Sequence, residues 1–352
     1  MQSINTLSLA CRVVLDMHAL NNEGNESNRL MTRRVGIVRP AVDIEGNSAY
    51  RRDVVNAISG DMNKHIFSDA FRNIATELGL PLNPYSQALD PARIMADPAF
   101  SAWIEGKGNN QKPEVDEIID ALITCSLTDV CGIMITAGNQ SIKRKSAVEF
   151  GWTIGIPEIT QVEEFIHARH AITRLTRTKV TASSSIEEKE LAAAERGANT
   201  GQMIFNRPAS SGVYAFVAHL DIGAIGFNDA TQQYPERIGD IVVDRPKRMR
   251  AALLALAQTV LHPKGALTST QLPHVVDIEG FVSTSSSAAA APLISPLDDN
   301  YIDRAQRTAK LLNQLHRDSS VNVRPFTGGE GLLEQMVDLV NDNEPGGYKR
   351  YA

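Results

Sequence analysis

The chain has 352 residues, of which 43% are hydrophobic and 22% are charged, and its formal net charge at pH 7 is −6. This composition is typical of a globular protein with a sizeable core, in one large domain or two ordinary ones. An acidic chain does not bind nucleic acid through its overall charge, so such binding requires a local concentration of basic residues. No apolar run approaches the roughly 20 residues of a membrane-spanning helix, and the N-terminus lacks a signal-peptide pattern. We therefore expect a cytoplasmic protein without a membrane partner.

The first segment predicts a β-strand followed by a long connection. From Leu7 to Met17 hydrophobic residues alternate with mostly polar ones, which is the pattern of a strand with one buried face. Residues 19–52 show no helical period and are predicted to be an irregular loop, of a length that is usually functional or disordered. This loop and its end are rich in arginine, at Arg29, Arg33, Arg34, Arg39, Arg51 and Arg52. Guanidinium groups suit phosphate oxygens, but a solvent-exposed polar loop explains the composition equally well.

A helix is predicted over about 59–78, with Ser59 as its cap and Gly79 at its end. Its first residues, "AISGDMNKH" (57–65), place Ser59 and Gly60 at a helix N-terminus, where free N–H groups favour an anion. Lys64 and His65 follow one turn later and could add positive charge. The alternative is an ordinary helix cap with no ligand.

The rest of the chain predicts an α+β fold, in which a mostly antiparallel sheet is covered by helices on one face. Two segments interrupt this pattern: 139–212, which reads as an insertion, and 283–292, a low-complexity stretch expected to be a mobile linker. The basic triplet at 143–145 is more typical of a solvated charge run than of a contact. The other predicted elements are short helices within 92–104, a helix from about 113, a buried strand at 130–138, strands near 202–208 and 212–227, a helix at 246–261, a strand at 271–283, and helices near 299–316 and 328–342.

A third candidate for phosphate binding is "HPKGALTST" (262–270), which places Lys264 beside a glycine and ahead of the hydroxyls of Thr268 and Ser269. It is also consistent with a simple turn between a helix and a strand. The three cysteines form no Cys-x-x-Cys pattern, and "HARH" lacks the second ligand pair of a zinc site, so we expect no metal and no disulfide. Neither a nucleophile elbow nor a nucleotide-binding glycine motif is present. The residues alone therefore propose no catalytic site and no cofactor.

Taken in order, several segments resemble a known family. These are "LSLACRVVLDMHALNNEGNESN", "NAISGDMNKH", "CSLTDVCGIM", "QMIFNRPASSGVYAFVAHLDIGAIG" and "LHPKGALTSTQLPH". Together they resemble the DevR/Csa-type backbone subunit of type I CRISPR effector complexes (Cascade), a group-seven Cas protein of the RAMP superfamily. The resemblance covers about residues 4–280 and is most specific in its first two segments.

The resemblance implies an RRM-like (ferredoxin-like) palm with helices on one face and large finger and thumb insertions. The palm would be discontinuous, formed by 1–80, 114–138 and 213–282. Residues 81–113 would be a finger-type insertion, and 139–212 an insertion that includes the thumb. A flexible linker at 283–298 and a C-terminal helical segment at 299–352 would complete the chain.

The resemblance also implies a function in antiviral defence. Copies of such a subunit stack head-to-tail into a helical filament along one guide RNA (crRNA) and present it for pairing with target DNA. Further partners would be the small and large Cascade subunits and the repeat-processing nuclease. The residues implied to hold RNA phosphates are Asn22, Asn25, Arg29, Arg33, Arg34, Ser59, Gly60, Lys64 and His65. Gln202, Met203 and Phe205 resemble a thumb tip that wedges between bases, although they could also belong to a buried strand; Lys143, Arg144, Lys264, Thr268 and Ser269 complete the predicted interface.

Two alternatives remain at this point. Type III relatives cut target RNA with an Asp in the loop after the first strand, so a metal-dependent endonuclease is the first alternative. Here that loop contains Glu23 and Glu26 but no Asp, which favours a subunit that is not an enzyme. The second alternative is a regulatory or structural protein that binds no RNA.

Overall fold

A computed structural model describes residues 2–26, 29–107, 111–137, 140–169 and 203–348. Its largest feature is an 11-stranded sheet with the central order β16-β15-β2-β12-β10-β6-β5. The strands are β1 (Gln2–Ile4), β2 (Thr6–His18), β3 (Asn22–Glu26), β4 (Arg29–Thr32), β5 (Arg34–Val42), β6 (Ser48–Ile58), β7 (Ile133–Ala137), β8 (Gln140–Arg144), β9 (Val148–Phe150), β10 (Thr153–Gly155), β11 (Gln161–Arg169), β12 (Met203–Asp221), β13 (Arg237–Ile238), β14 (Ile241–Val242), β15 (His274–Ser285), β16 (Val321–Thr327) and β17 (Asn343–Pro345).

The helices connect the strands of this sheet. They are α1 (Gly60–Glu77), α2 (Pro84–Gln87), α3 (Pro98–Glu105), α4 (Val115–Thr124), α5 (Ser126–Cys131), α6 (Arg245–Leu261), α7 (Tyr301–His316) and α8 (Gly328–Asp342). Along the central path every strand pairing is antiparallel. The mixed fold with an antiparallel sheet therefore agrees with the sequence-based prediction. Among the described helices, none is long and apolar enough to cross a membrane.

The central strand β2 follows the predicted alternation and carries the main core. Leu7, Leu9 and Cys11 are fully buried on one side, where they pack with residues of α1, α6 and α8. Burying these side chains removes apolar area from water, at roughly 25 cal/mol per Å². The apolar faces of α1 and α6 pack on this side of the sheet. Each helix has such a face because its apolar residues recur at three- and four-residue spacing.

The second face of the sheet is covered as well, which the sequence did not predict. Ala10 of β2 and Phe281 of β15 are fully buried on this face against Tyr301 and Ala305 of α7. The prediction of helices on one face is therefore wrong for the C-terminal segment. Alternation in β2 concealed this because Ser8 and Ala10 are small, and small side chains give no clear hydrophobic signal even when they are buried.

Residues 19–52 also differ from their prediction as an irregular loop. They form β3, β4, β5 and the first part of β6, with β5 and β6 paired as a hairpin from Arg34↔Asn56 to Val42↔Ser48. One side of this hairpin is exposed and carries Val38, Tyr50 and Val54, while the other side carries Arg39, Arg51 and Asp53 in an ion-pair cluster. Exposed faces of these strands carry hydrophobic as well as polar residues. The sequence therefore lacks the alternation of apolar and polar residues that would have predicted strands.

The segments 130–138 and 283–292 depart from their predictions in opposite ways. Val130 and Cys131 end α5, and the following strand β7 pairs with β8 in a separate two-stranded sheet instead of entering the central one. Conversely, the expected mobile linker begins as strand, because β15 continues to Ser285. Ser283 is fully buried, and its hydroxyl donates to the Pro292 carbonyl at 2.6 Å. Serine is small enough to be buried when its hydroxyl finds a backbone partner.

The remaining predicted helices are confirmed where the structure describes them, namely those at 59–78, from 113, at 246–261, at 299–316 and at 328–342. Strand β16, between the last two helices, was missed. Within the predicted insertion at 139–212, residues 139 and 170–202 lie outside the described residues.

Candidate nucleic-acid interface

The three segments proposed for phosphate binding meet at the end of β2. The Asn21 side-chain oxygen accepts a hydrogen bond from the Ser59 backbone N–H at 2.7 Å, directly before α1. The Asn21 carbonyl accepts from the Arg33 N–H at 3.2 Å, and the Leu20 carbonyl accepts from the Ala266 N–H at 3.0 Å. Two consecutive residues therefore hold together the arginine-rich segment, the start of α1 and the 262–270 turn. No spacing rule could have predicted this, because the contacts span 38 residues or more for two of the three segments.

Glycines allow two of these close approaches. A Cβ atom built on Gly265 would lie 2.6 Å from the Leu20 carbonyl oxygen. A Cβ on Gly60 would lie 2.8 Å from the Phe150 carbonyl oxygen of β9. Real side chains do not tolerate such distances, so glycine is needed where these backbones touch. The start of α1 is thereby pressed against β9, and the 262–270 turn against the end of β2.

Ser59 stabilises the start of α1 at this junction. It is buried, and its hydroxyl accepts from the Met62 N–H at 3.2 Å, which caps α1. One turn further, Asn63 is buried and donates to the Gly151 carbonyl at 3.0 Å and to the Thr153 hydroxyl at 2.9 Å. The N-terminus of α1 is therefore fixed by a cap and by two bonds to the neighbouring strand segment. Such fixed N–H groups suit an anion without further reorganisation.

Lys64 lies between two grooves on either side of α1. The first groove, of about 290 Å³, is lined by Gly60, Asp61, Lys64 and Trp152 among others. The second, of about 390 Å³, places Lys64 together with His65 and Arg93. Partial burial lowers the pKa of Lys64 below its ordinary value, since desolvation disfavours the charged ammonium. The sequence identified Lys64 and His65, whereas Arg93 was not singled out.

Trp152 is the most informative residue that the sequence analysis missed. Its side chain is 38% exposed and lines the first groove beside Lys64. The guanidinium carbon of Arg33 lies 5.6 Å from the centre of the Trp152 ring, within the range of a cation–π contact. The chain has only two tryptophans, and this one follows a glycine between two short strands. That rarity was the available signal in the sequence.

The 262–270 turn also contacts the base of the long β11–β12 hairpin. The Arg207 guanidinium donates to the Thr270 hydroxyl at 3.0 Å, and the Gln271 side chain donates to the Pro208 carbonyl at 2.9 Å. Lys264 and Ser269 are exposed, and the hydroxyl of the half-buried Thr268 donates to the Gly265 carbonyl. The predicted turn and the start of the hairpin therefore share one surface.

The remaining predicted residues have varied placements. Arg34 and Lys143 are exposed, and Asn22 is half-buried. Asn25 and Arg29 lie in β3 and β4, and Met203 and Phe205 lie in β12, but their side chains are outside what the structure describes. Gln202 lies outside the described residues altogether.

Arg144 has a different environment from its neighbour Lys143. It is 3% exposed, and its guanidinium donates to the Asp129 carboxylate and, at 2.5 Å, to the Phe227 carbonyl. Asp129 also accepts from Arg248 at 2.6 Å and from the Gly226 N–H, all in the interior. A buried charge of this kind must be paired, and the pair here links α5, β8 and α6. The guanidinium of Arg144 stabilises the fold from the interior, so we do not include Arg144 in the proposed interface.

No group of three or more His, Cys, Asp and Glu residues in the described parts of the chain is placed to hold a metal ion. The residues around this site include the basic Arg33, Lys64 and Lys264, the aromatic Trp152, and the acids Asp61 and Glu149, which line the first groove. These groups offer positive charge, N–H donors and one ring face.

The chain is similar to known proteins along most of its length. The family model described as CRISPR-associated negative auto-regulator DevR/Csa2 matches residues 9–306. A Methanocaldococcus jannaschii protein named CRISPR-associated protein Cas7/Cst2/DevR is 25% identical over 95% of this chain and 98% of its own. The CRISPR-associated aCascade subunit Cas7/Csa2 2 of Saccharolobus solfataricus is 23% identical, with the same coverage of both chains.

Solved structures were compared in the same way. A chain of a CRISPR RNA-guided surveillance complex, pre-nicking, is 11% identical, with a TM-score of 0.41 and 90% coverage of both chains. Csc2 of Thermofilum pendens is 13% identical, with a TM-score of 0.36, and the match covers 97% of this chain and 91% of that one.

Proposed function

Since the chain belongs to the DevR/Csa2 family of CRISPR-associated proteins, we propose that it is a guide-RNA-binding backbone subunit of a type I effector complex. Copies stack head-to-tail on one crRNA and present it for pairing with target DNA. Sequence reading is then the task of base pairing, and the protein needs to hold only the RNA backbone. The relatives named above as Cas7 and as a Cascade subunit support this proposal.

The observation that carries the proposal is the junction at Leu20 and Asn21. It joins three segments with phosphate-binding chemistry into one surface, although they are far apart in the chain. Arg33, Lys64 and Lys264 supply the positive charge, and the start of α1 supplies N–H groups. In this proposal, the local concentration of base that the acidic composition requires is supplied by these residues.

The order of the central strands supports the RRM-like palm. Strands β15, β2, β12 and β10 are adjacent in that order, and α1 and α6 follow β2 and β12 in the chain. In terms of a β-α-β-β-α-β unit, this is the order fourth, first, third, second of a ferredoxin-like sheet. The hairpin β11–β12 projects from the third strand, and we assign it to the base of the thumb.

Trp152 adds a role that phosphate contacts alone do not provide. A base can stack on an exposed ring regardless of its identity, and such stacking contributes about 1–3 kcal/mol per base. The Arg33 guanidinium carbon lies 5.6 Å from the centre of this ring, so the cation and the aromatic face are close together. We propose that Trp152 supports one base or ribose next to the phosphate bound by Arg33 and Lys64.

The test is RNA binding by the purified chain carrying Arg33→Glu together with Arg34→Glu. We expect this reversal to abolish assembly on guide RNA, since it replaces two phosphate donors with two carboxylates. The matched control is Arg237→Glu with Arg250→Glu, which makes the same charge change at exposed positions away from the junction. Native gel shift and fluorescence anisotropy measure both variants.

Equal loss of binding in the control would assign the effect to net charge and would contradict the proposed site. Unchanged assembly of the Arg33 and Arg34 variant would refute it directly. The same samples test for cleavage. If the RNA is shortened in the presence of magnesium and this shortening is lost in Glu23→Ala, the chain is a nuclease and the proposal of a non-catalytic subunit is wrong.

A further inference from the structure

The C-terminal helices α7 and α8 have outer faces of opposite charge. On α7 the exposed face carries Arg307 and Lys310 beside Leu311 and Leu315, which are 64% and 79% exposed. Arg307 and Lys310 have no ion-pair partner among the residues that the structure describes, and Asp303 is the only acid within this helix. The outer face of α7 is therefore basic and apolar.

The outer face of α8 has the complementary character. The helix contains Glu330, Glu334, Asp338 and Asp342 and no basic residue. These acids recur every four residues, so they follow one side of the helix. Leu333 and Val337 are 42% and 55% exposed next to this acidic stripe. Asp338 pairs with Arg324 of β16 at 3.6 Å, whereas Glu330 and Glu334 have no ion-pair partner among the described residues. Exposed apolar side chains beside such charges are typical of a surface that is buried in an assembly.

The two helices cover opposite faces of the sheet at the same edge. Tyr301 and Ala305 of α7 pack with Ala10 and Phe281 on one side. Leu332 and Met336 of α8 belong to the main core on the other side. Both helices also contact the edge strand β16, which lies between them. Their outer faces therefore point in opposite directions, away from the sheet.

This arrangement has a geometric consequence for a second copy of the chain. Two complementary surfaces that point in opposite directions on one molecule meet when a copy is placed above it in a similar orientation. The contact is heterologous, so each copy keeps one free surface at either end, and the stack does not close. If the two complementary surfaces pointed in the same direction, a contact between two copies would instead require a twofold axis.

We propose that the outer face of α7 in one copy docks on the outer face of α8 in the next copy. Leu311 and Leu315 would pack against Leu333 and Val337, with Arg307 and Lys310 facing Glu330 and Glu334. Opposite charges would fix the register and direction of the contact, and the apolar residues would supply burial. This inference rests on the proposed function, because it assigns a surface to the stacking of copies along RNA.

The test uses two charge-reversed variants in a mixing experiment. The first carries Arg307→Glu and Lys310→Glu, which leaves it with two acidic helices. The second carries Glu330→Lys and Glu334→Lys, which makes the contact positions of α8 basic like those of α7, although Asp338 and Asp342 remain. Each variant alone would face repulsion at every contact, whereas in an equimolar mixture each contact joins opposite charges. We therefore expect single copies on a long RNA for each variant and restored multi-copy assemblies for the mixture, measured by mass photometry.

The control for the second variant is Glu236→Lys with Asp240→Lys, an equal reversal in the exposed β13–β14 hairpin, which should assemble normally. Binding to an RNA that holds only one copy separates the two proposals. If the wild-type chain fails to bind this short RNA, the proposed function fails. If every chain binds it but the variants assemble alone, or the mixture does not assemble, the docking of α7 on α8 is overturned.

A reversed variant that is unstable in thermal unfolding is replaced by Leu311→Ser with Leu333→Ser. Leu311 and Leu333 are 64% and 42% exposed and belong to no core cluster of the described residues, so their replacement leaves the core intact. Loss of multi-copy assembly with unchanged short-RNA affinity supports the contact. Assembly equal to that of the wild-type chain contradicts it.

Discussion

At the scale of single residues, the interface depends on buried polar side chains behind it. His18, at the end of β2, is 2% exposed and lies edge-on to Tyr214, with 4.9 Å between ring centres. The Tyr214 hydroxyl donates to Asn56 at 3.0 Å, and Asn56 donates to the Arg33 carbonyl at 3.0 Å. This chain of contacts leads from the core to the residue that stacks on Trp152. Buried networks that are bonded in this way fix one backbone arrangement.

The protonation of His18 predicts a pH dependence of stability. Burial lowers its pKa from 6.5 to about 4, so in acid the unfolded chain binds a proton that the folded chain does not. The stabilisation is complete above about pH 6.5 and is lost as the pH falls toward the folded pKa. Between pH 7 and pH 5 we expect His18 to account for a loss of about 2 kcal/mol in the free energy of unfolding.

Urea denaturation at pH 7, 6 and 5 measures this loss. His18→Phe should lose less stability than the wild-type chain over this range, since phenylalanine does not titrate. His65→Gln removes an exposed histidine and should follow the wild-type curve. Parallel curves for His18→Phe and the wild-type chain would contradict the assignment.

At the scale of elements, strand β8 assigns two adjacent basic residues to different tasks. Strand side chains point alternately to opposite faces, so Lys143 is exposed and Arg144 is buried against Asp129. The sequence "KRK" by itself gives no reason to expect different environments for Lys143 and Arg144. Only the position of α5, which brings Asp129 beneath the strand, separates them.

We therefore predict unequal effects of two neighbouring substitutions. Arg144→Ala leaves part of the Asp129 carboxylate buried without its partner and should lower the free energy of unfolding by about 3 kcal/mol. Lys143→Ala removes an exposed side chain and should change it by less than about 0.5 kcal/mol. Chemical denaturation of both variants provides the comparison. Similar losses would show that the buried pair does not stabilise the junction of α5, β8 and α6.

At the scale of the whole molecule, the net charge of −6 contrasts with the basic residues of the proposed interface, Arg33, Lys64 and Lys264. Further acids follow the outer face of α8. A chain can thus bind a polyanion without being basic, provided that its acids lie elsewhere. The opposite outer faces of α7 and α8 would partly neutralise each other in a stack of copies.

The proposed phosphate contacts predict how RNA affinity responds to salt. Binding through phosphates releases counterions, so the logarithm of the binding constant should fall linearly with the logarithm of salt concentration. Lys264→Ala should reduce that slope by roughly 0.7, the value for one phosphate contact on a single strand. Arg237→Ala, at an exposed site in β13, should leave the slope unchanged. Affinities for permuted guide sequences should agree, and a strong sequence preference would contradict backbone binding.

The sequence by itself determined the elements whose patterns are local. The alternation in β2, the cap and terminal glycine of α1, and the apolar stripes of α6, α7 and α8 are properties of neighbouring residues, so they predicted their elements. The same holds for the chemical character of the three candidate phosphate segments, because residue type is enough to identify a donor. The family resemblance rested on these local segments as well.

Only the tertiary structure decided which of these residues act together. Asn21 bonds to Ser59, Leu20 bonds to Ala266, and Asp129 holds Arg144, and each contact joins residues that no period relates. The β5–β6 hairpin escaped prediction because apolar residues lie on its exposed face, and the serines of β15 because small polar residues give no hydrophobic signal even when they are buried. Local patterns encode how a segment folds, but the meeting of segments depends on packing, which is a property of the whole core.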